Sequence, residues 1–146
     1  MDVLDKTLLD KRNPQTELWQ TVPDWAMKIY VFMFTKGEEK FLKVGVTSYM
    51  EAYDRILANH AIFKEGGEKD WVQTTMVDHF DTVSIQTSAM LPKDKARSLE
   101  NVILKAWGDQ DLNLPKIKGM SEFRQYNYGR LSQARAIINE HRYVKS

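Results

Sequence analysis

The chemistry available to this 146-residue chain lies in a few charged, phenolic and imidazole side chains, because it contains no cysteine. Disulfides, thiolate zinc sites, iron–sulfur clusters and a cysteine nucleophile are thereby excluded. The histidines, His60, His79 and His141, have no spacing that suits a metal. His60 falls where a helix ends and a cation suits the dipole. His79, beside Asp78 and Asp81, fits either a catalytic imidazole or a surface turn. Neither a glycine-rich phosphate loop nor a Gly-x-Ser-x-Gly elbow occurs, which argues against nucleoside-triphosphate binding and serine hydrolysis. Basic residues gather after Pro115: Lys116, Lys118, Arg124, Arg130, Arg135, Arg142 and Lys145, against Glu122 and Glu140. Such a stretch can hold phosphate backbones; it also suits a solvated helix and tail.

Three further side chains have two readings each. Tyr30, beside Phe32 and Phe34, is an edge-of-core aromatic or a functional phenol. Arg55 is a solvated helix residue near Glu51 and Asp54, or an anion ligand. Glu100 flanks an apolar helical stripe, where Arg97 can pair with it.

The elements that must position these residues follow from periodicity. Met27–Phe34 is apolar and aromatic except for Lys28, the pattern of a strand covered on both faces and central in its sheet. A polar loop, Thr35–Glu39, joins it to a partner strand, Lys40–Val46. Ser48 and Glu51 form a capping box opening a helix from about Tyr49 to Asn59. Phe63–Asp70 reads as a charged loop, Val72–Val77 as a short strand, and Phe80–Thr87 as a third strand with one polar face. Pro92 opens a helix from Lys93 to Trp107, with Ala96, Leu99, Val102, Ile103, Ala106 and Trp107 as its stripe and Gly108 as its stop. A long loop over 109–129 precedes a last helix, about Arg130 to His141. The expected class is α+β: a small, mostly antiparallel central sheet built on a β-hairpin, flanked by three or more helices.

One domain is expected at this length. Residues 1–26 read as an N-terminal extension packing on the body, with Trp19 and Trp25 as anchors. Residues 27–146 form the domain, ending in a basic helix. Residues 1–92 carry 14 Asp/Glu against 10 Lys/Arg, and residues 93–146 carry 11 Lys/Arg against 6 Asp/Glu. The apolar runs all fall short of the roughly 18–20 residues needed to span a bilayer, and the acidic N-terminus is unlike a signal peptide. A cytoplasmic protein without a membrane partner is expected.

Hairpin, arginine-bearing helix, third strand and glutamate-bearing helix follow one another in the order of the GIY-YIG nuclease domain. Lys28-Ile29-Tyr30 resembles that family's first element, and Lys43-Val44-Gly45, extended by Val46-Thr47, its second. Arg55-Ile56 resembles the arginine of its first helix, and Leu99-Glu100-Asn101 the helix with its metal-binding glutamate. The Lys-Val-Gly-Val-Thr phrase is most similar to a branch common in bacteriophage proteins, in which lysine often replaces the second tyrosine. Gly119-Met120-Ser121-Glu122-Phe123 resembles a later element of that branch. The resemblance spans roughly residues 27–125 and departs from the family at Lys28, in place of glycine, and Lys43, in place of tyrosine.

The resemblance implies a metal-dependent DNA endonuclease or nickase, phage-encoded and working in the host cell cytoplasm. Tyr30, Lys43, Arg55 and Glu100 would be its catalytic residues, with Glu100 binding Mg²⁺ or Mn²⁺. Tyr30 would orient or deprotonate water, or donate to phosphate, and Arg55 would pair with phosphate. A tyrosine, whose pKa is ordinarily about 10, serves as a base only beside a metal or another cation. Lys116, Lys118, Arg124 and Arg130 would hold the DNA backbone. A domain with one site cuts both strands only as a homodimer or by two successive nicks. The alternative is a catalytically inactive relative that binds DNA, or binds and inhibits a host protein.

Overall fold

Ala26–Lys36 forms the long strand β2, whose apolar residues are buried on both sides of the sheet. The reason is its place: β2 pairs antiparallel with β3 (Glu39–Thr47) on one side and with β6 (Thr82–Thr87) on the other. A computed structural model describes residues 2–3, 21–50, 61–65, 71–75, 79–108 and 123–142. Within them the central sheet runs β1–β6–β2–β3–β8, with β1 at Asp2–Val3 and β8 at Arg124–Gln125. A short strand β7, Leu91–Pro92, pairs with the start of β2. The architecture is the expected α+β one, with an antiparallel sheet built on the β2–β3 hairpin. Two helices stand among the described residues, α1 (Lys93–Trp107) and α2 (Tyr128–Glu140). The helix expected over Tyr49–Asn59 lies mostly outside them.

The hairpin is tighter than its polar stretch suggests. Lys36 pairs with Glu39, so Gly37 and Glu38 alone make the turn, and Gly37 takes the positive φ of 59° that a tight link requires. Asp81 holds this tip by accepting a hydrogen bond from the Gly37 amide at 2.6 Å.

Register divides the sheet into two unlike faces. Ile29, Val31 and Met33 share one face with Leu42, Val44 and Val46. Ile103 and Trp107 of α1 and Leu131, Ala134 and Ile138 of α2 complete that aliphatic core. The other face carries Lys28, Tyr30, Phe32 and Phe34 beside Phe41, Lys43, Gly45 and Thr47, with Val83 and Ile85 from β6. Rings dominate it. Tyr30 lies 4.6 Å from Phe32, Phe32 lies 5.6 Å from Phe34, and Phe34 lies 4.8 Å from Phe80 and 5.0 Å from Phe123. Phe123, which ends the Gly-x-x-Glu-Phe stretch, is thus a buried part of the ring ladder, while Glu122 lies outside the described residues.

Several local expectations need correction. Ala61–Glu65, read partly as a charged loop, is strand β4, paired antiparallel with β5 at Trp71–Thr75. The charged residues masked the short Ala-Ile-Phe run, whose side chains suit a strand. On the polar side of β6, Thr82 is exposed, Ser84 is buried, and Gln86 meets α2, donating to Asn139 at 2.5 Å and accepting from Arg135 at 3.1 Å. Helix α2 starts two residues early because Asn127 caps it, its side chain accepting from the Arg130 amide at 2.8 Å. Trp25, expected as an anchor, is 57% exposed, and Trp19 lies outside the described residues. Val22 does the docking instead, buried and bonded through its amide to Ser48 at 2.8 Å. No helix among the described residues is long and apolar enough to cross a membrane.

Candidate active site on the aromatic face

Tyr30 stands directly across from Gly45 in the hairpin register. The hydroxyl end of its ring lies over that glycine: a Cβ at position 45 would come within 2.5 Å of the tyrosine Oη and 2.7 Å of Cζ. Glycine is therefore a condition of this ring position, since any other side chain would displace the phenol. Tyr30 is only 2% exposed.

Lys43 occupies the same face, two residues before Gly45 on β3 and opposite Phe32. This diagonal relation to Tyr30 is within reach of long side chains. Lys43 is 7% exposed, an unusual depth for a lysine, whose ammonium costs much to bury without compensating polar contacts. Neither Lys43 nor Tyr30 is without an interaction partner.

Lys28 completes the group. It lies two residues before Tyr30 on the same strand face, opposite the buried Thr47. Its Nζ donates to the Met50 carbonyl at 2.9 Å, and Thr47 Oγ1 accepts from the Tyr49 amide at 3.1 Å. Along the face the order is thus a lysine–threonine pair, a tyrosine–glycine pair and a phenylalanine–lysine pair. The phenol lies between two lysine positions along the face. Sequence reasoning treated Lys28 only as a departure from a motif; its two-residue spacing from Tyr30 on a strand was the signal that both share a face.

Glu100 belongs to α1, between the buried Ala96 and Ile103 on the same stripe, and is half-buried. That stripe packs on the aliphatic face of the sheet. The carboxylate is thus carried by a helix that packs, through Ile103 and Trp107, on the side of the sheet opposite Tyr30 and Lys43. As an oxygen donor it suits Mg²⁺ or Mn²⁺, and Mg²⁺ commonly takes one or two carboxylates together with waters and substrate phosphate. Among the described residues no group of three or more His, Cys, Asp or Glu side chains converges as a metal cage. Arg55 lies outside the described residues.

The assigned backbone-binding residues divide in the same way. Lys116 and Lys118 lie outside the described residues. Arg124 and Arg130 act as struts at the C-terminal end of α1. Arg124 Nε donates to the Gly108 carbonyl at 3.2 Å, and Arg130 donates to the carbonyls of Trp107 and Gln125, both at 2.9 Å. Trp107 returns a bond from its indole to the Arg130 carbonyl at 3.2 Å. Carbonyls at a helix C-terminus lack partners within the helix, and cations suit that end of its dipole. The two arginines therefore join β8 and the start of α2 to the end of α1, a role their clustering in sequence does not reveal.

A shallow hollow of about 380 Å³, lined by Asp94, Arg97, Ser98, Asn101, Val102 and Lys105, runs along α1 and includes none of the candidate residues. Comparison with protein-family models, with curated proteins and with solved structures finds no match to this chain.

Proposed function

We propose that this protein is a metal-dependent endonuclease or nickase acting on phosphodiester bonds in DNA, on the plan of a phage-type GIY-YIG domain. One observation carries the reading: the hairpin sets Lys28-Ile29-Tyr30 antiparallel to Lys43-Val44-Gly45, with Tyr30 across from Gly45. Two stretches that resemble the family's paired elements are thereby neighbours in space, and the tyrosine of one lies on the glycine of the other.

In this reading the phenol of Tyr30 orients the attacking water or takes its proton, and Lys43 holds a phosphate oxygen beside it. Arg55 supplies a guanidinium fork to the same phosphate. Glu100 holds Mg²⁺ or Mn²⁺, which when bound offsets charge on the scissile phosphate. The protein works in the host cytoplasm, and double-strand cutting requires a homodimer or two nicks in succession.

Supercoiled plasmid incubated with Mg²⁺ or Mn²⁺ tests the proposal. Wild-type protein converts it to open circle, and Glu100→Gln does not. Equal conversion by both proteins removes Glu100 from the site. Absence of conversion by folded wild-type protein, across both metals, rejects the enzyme.

A second reading is favoured by the depth of Tyr30 and Lys43, 2% and 7% exposed, and by the position of Glu100 on the helix of the opposite face. A relative that has lost hydrolysis keeps a surface for DNA or for a host protein. DNA binding that weakens steeply with salt, without nicking, identifies the DNA-binding form; a salt-insensitive protein complex identifies the other.

A further inference from the structure

Lys28 stands where the resembling family has glycine, and its surroundings ask for an explanation. Its side chain is half-buried, on a face it shares with Tyr30, Phe32, Phe34, Lys43 and Thr47. Its ammonium donates to a neutral acceptor, the Met50 carbonyl at 2.9 Å. Among the described residues no carboxylate pairs with it. A lysine nitrogen has three donors, so one carbonyl leaves donor capacity for a further ligand. A strut to a carbonyl needs no cation, whereas a partly desolvated cation is favoured with an anion nearby. The register supplies the geometry: Lys28 and Lys43 lie on either side of the Tyr30–Gly45 pair along one face.

We infer that Lys28 is a phosphate-binding residue of this site, acting with Lys43 to hold a DNA phosphodiester without the help of a metal ion. The inference rests on the nucleic-acid reading above and adds to it a second cation and a metal-independent binding step. The Met50 carbonyl fixes the direction of the Lys28 amine, so its bond to phosphate forms with little loss of side-chain freedom.

Binding of a fluorescently labelled DNA duplex in EDTA, measured over a range of salt concentrations, tests this. Lys28→Gln keeps a donor for the Met50 carbonyl but removes the charge. It is expected to weaken binding several-fold and to reduce the slope of log affinity against log salt by about 1. Lys28→Arg keeps the charge and is expected to keep the slope. An unchanged slope in Lys28→Gln overturns the inference, and so does absence of binding by the wild type in EDTA. Plasmid nicking in Mg²⁺, run alongside, separates the two proposals: nicking without metal-free binding defeats this one and leaves the nuclease standing. If Lys28→Gln does not fold, the ε-methylene NMR signal of Lys28 in the wild type decides. It must move on addition of the duplex in EDTA, and a stationary signal overturns the assignment.

Discussion

On one side of β2, Ile29, Val31 and Met33 meet Ile103, Trp107, Leu131 and Ile138 from two helices; on the other, Tyr30, Phe32 and Phe34 meet rings and share their face with Lys28 and Lys43. The aliphatic face is made of side chains with almost no polar atoms, so burying them is favourable without conditions. The aromatic face accepts a phenol and two lysines, groups that cost free energy unless each finds a partner. Stability alone would favour apolar residues at positions 28, 30 and 43. A strand that alternates between these two environments divides its residues by parity: odd positions face the helices, and even positions face the rings and the lysines.

Substitutions on the two faces should therefore fail in different ways. Tyr30→Phe is expected to reduce nicking by about 10²–10⁴-fold, the usual contribution of a positioned acid–base group, while lowering stability by only about 1 kcal/mol for one hydroxyl. Plasmid conversion rates and urea denaturation read the two effects separately. A rate unchanged by the loss of the hydroxyl would make the aromatic face a second core. Trp107→Ala is expected to do the reverse. It removes a large side chain that is 4% exposed and costs about 3–5 kcal/mol in urea denaturation, with the activity of the remaining folded fraction preserved. A loss of specific activity beyond the loss of folded protein would join the two faces into one functional unit.

Gly45→Ala gives the smallest and sharpest test. Replacing glycine by alanine inside a strand ordinarily stabilises it. Here the sign should reverse, because the added methyl meets the Tyr30 ring at 2.5–2.7 Å, and overpacking of this kind costs about 1–3 kcal/mol. In a Tyr30→Ala background the penalty should vanish, a non-additivity that a double-mutant cycle by urea denaturation measures directly. An equal penalty in both backgrounds would remove the ring as its cause.

Much of the framework was legible in the chain. The apolar run around Phe32 marked a central strand, the spacing of Ala96, Ile103 and Trp107 marked α1 to its first and last residues, and Gly37 marked the hairpin turn. The site was legible in part. Tyr30 and Lys43 do share a face of adjacent strands, on which Lys28, the departure from the family's glycine, also lies, whereas Glu100 is carried by the helix on the other side. Arg124 and Arg130 read as a basic surface because charge is visible in sequence, while the unpaired carbonyls at the end of α1 that receive them are not.

The order and type of the principal elements followed from the sequence by itself, because hydrophobic period, turn residues and caps act over a few neighbouring residues. Tertiary structure alone decided that Tyr30 lies on Gly45, that α1 covers the aliphatic face, and that two arginines hold a helix end. Those outcomes depend on strand register and on which face a distant helix covers. Such contacts join residues far apart in the chain, and shifting the register by one residue would exchange the two faces without altering the local pattern.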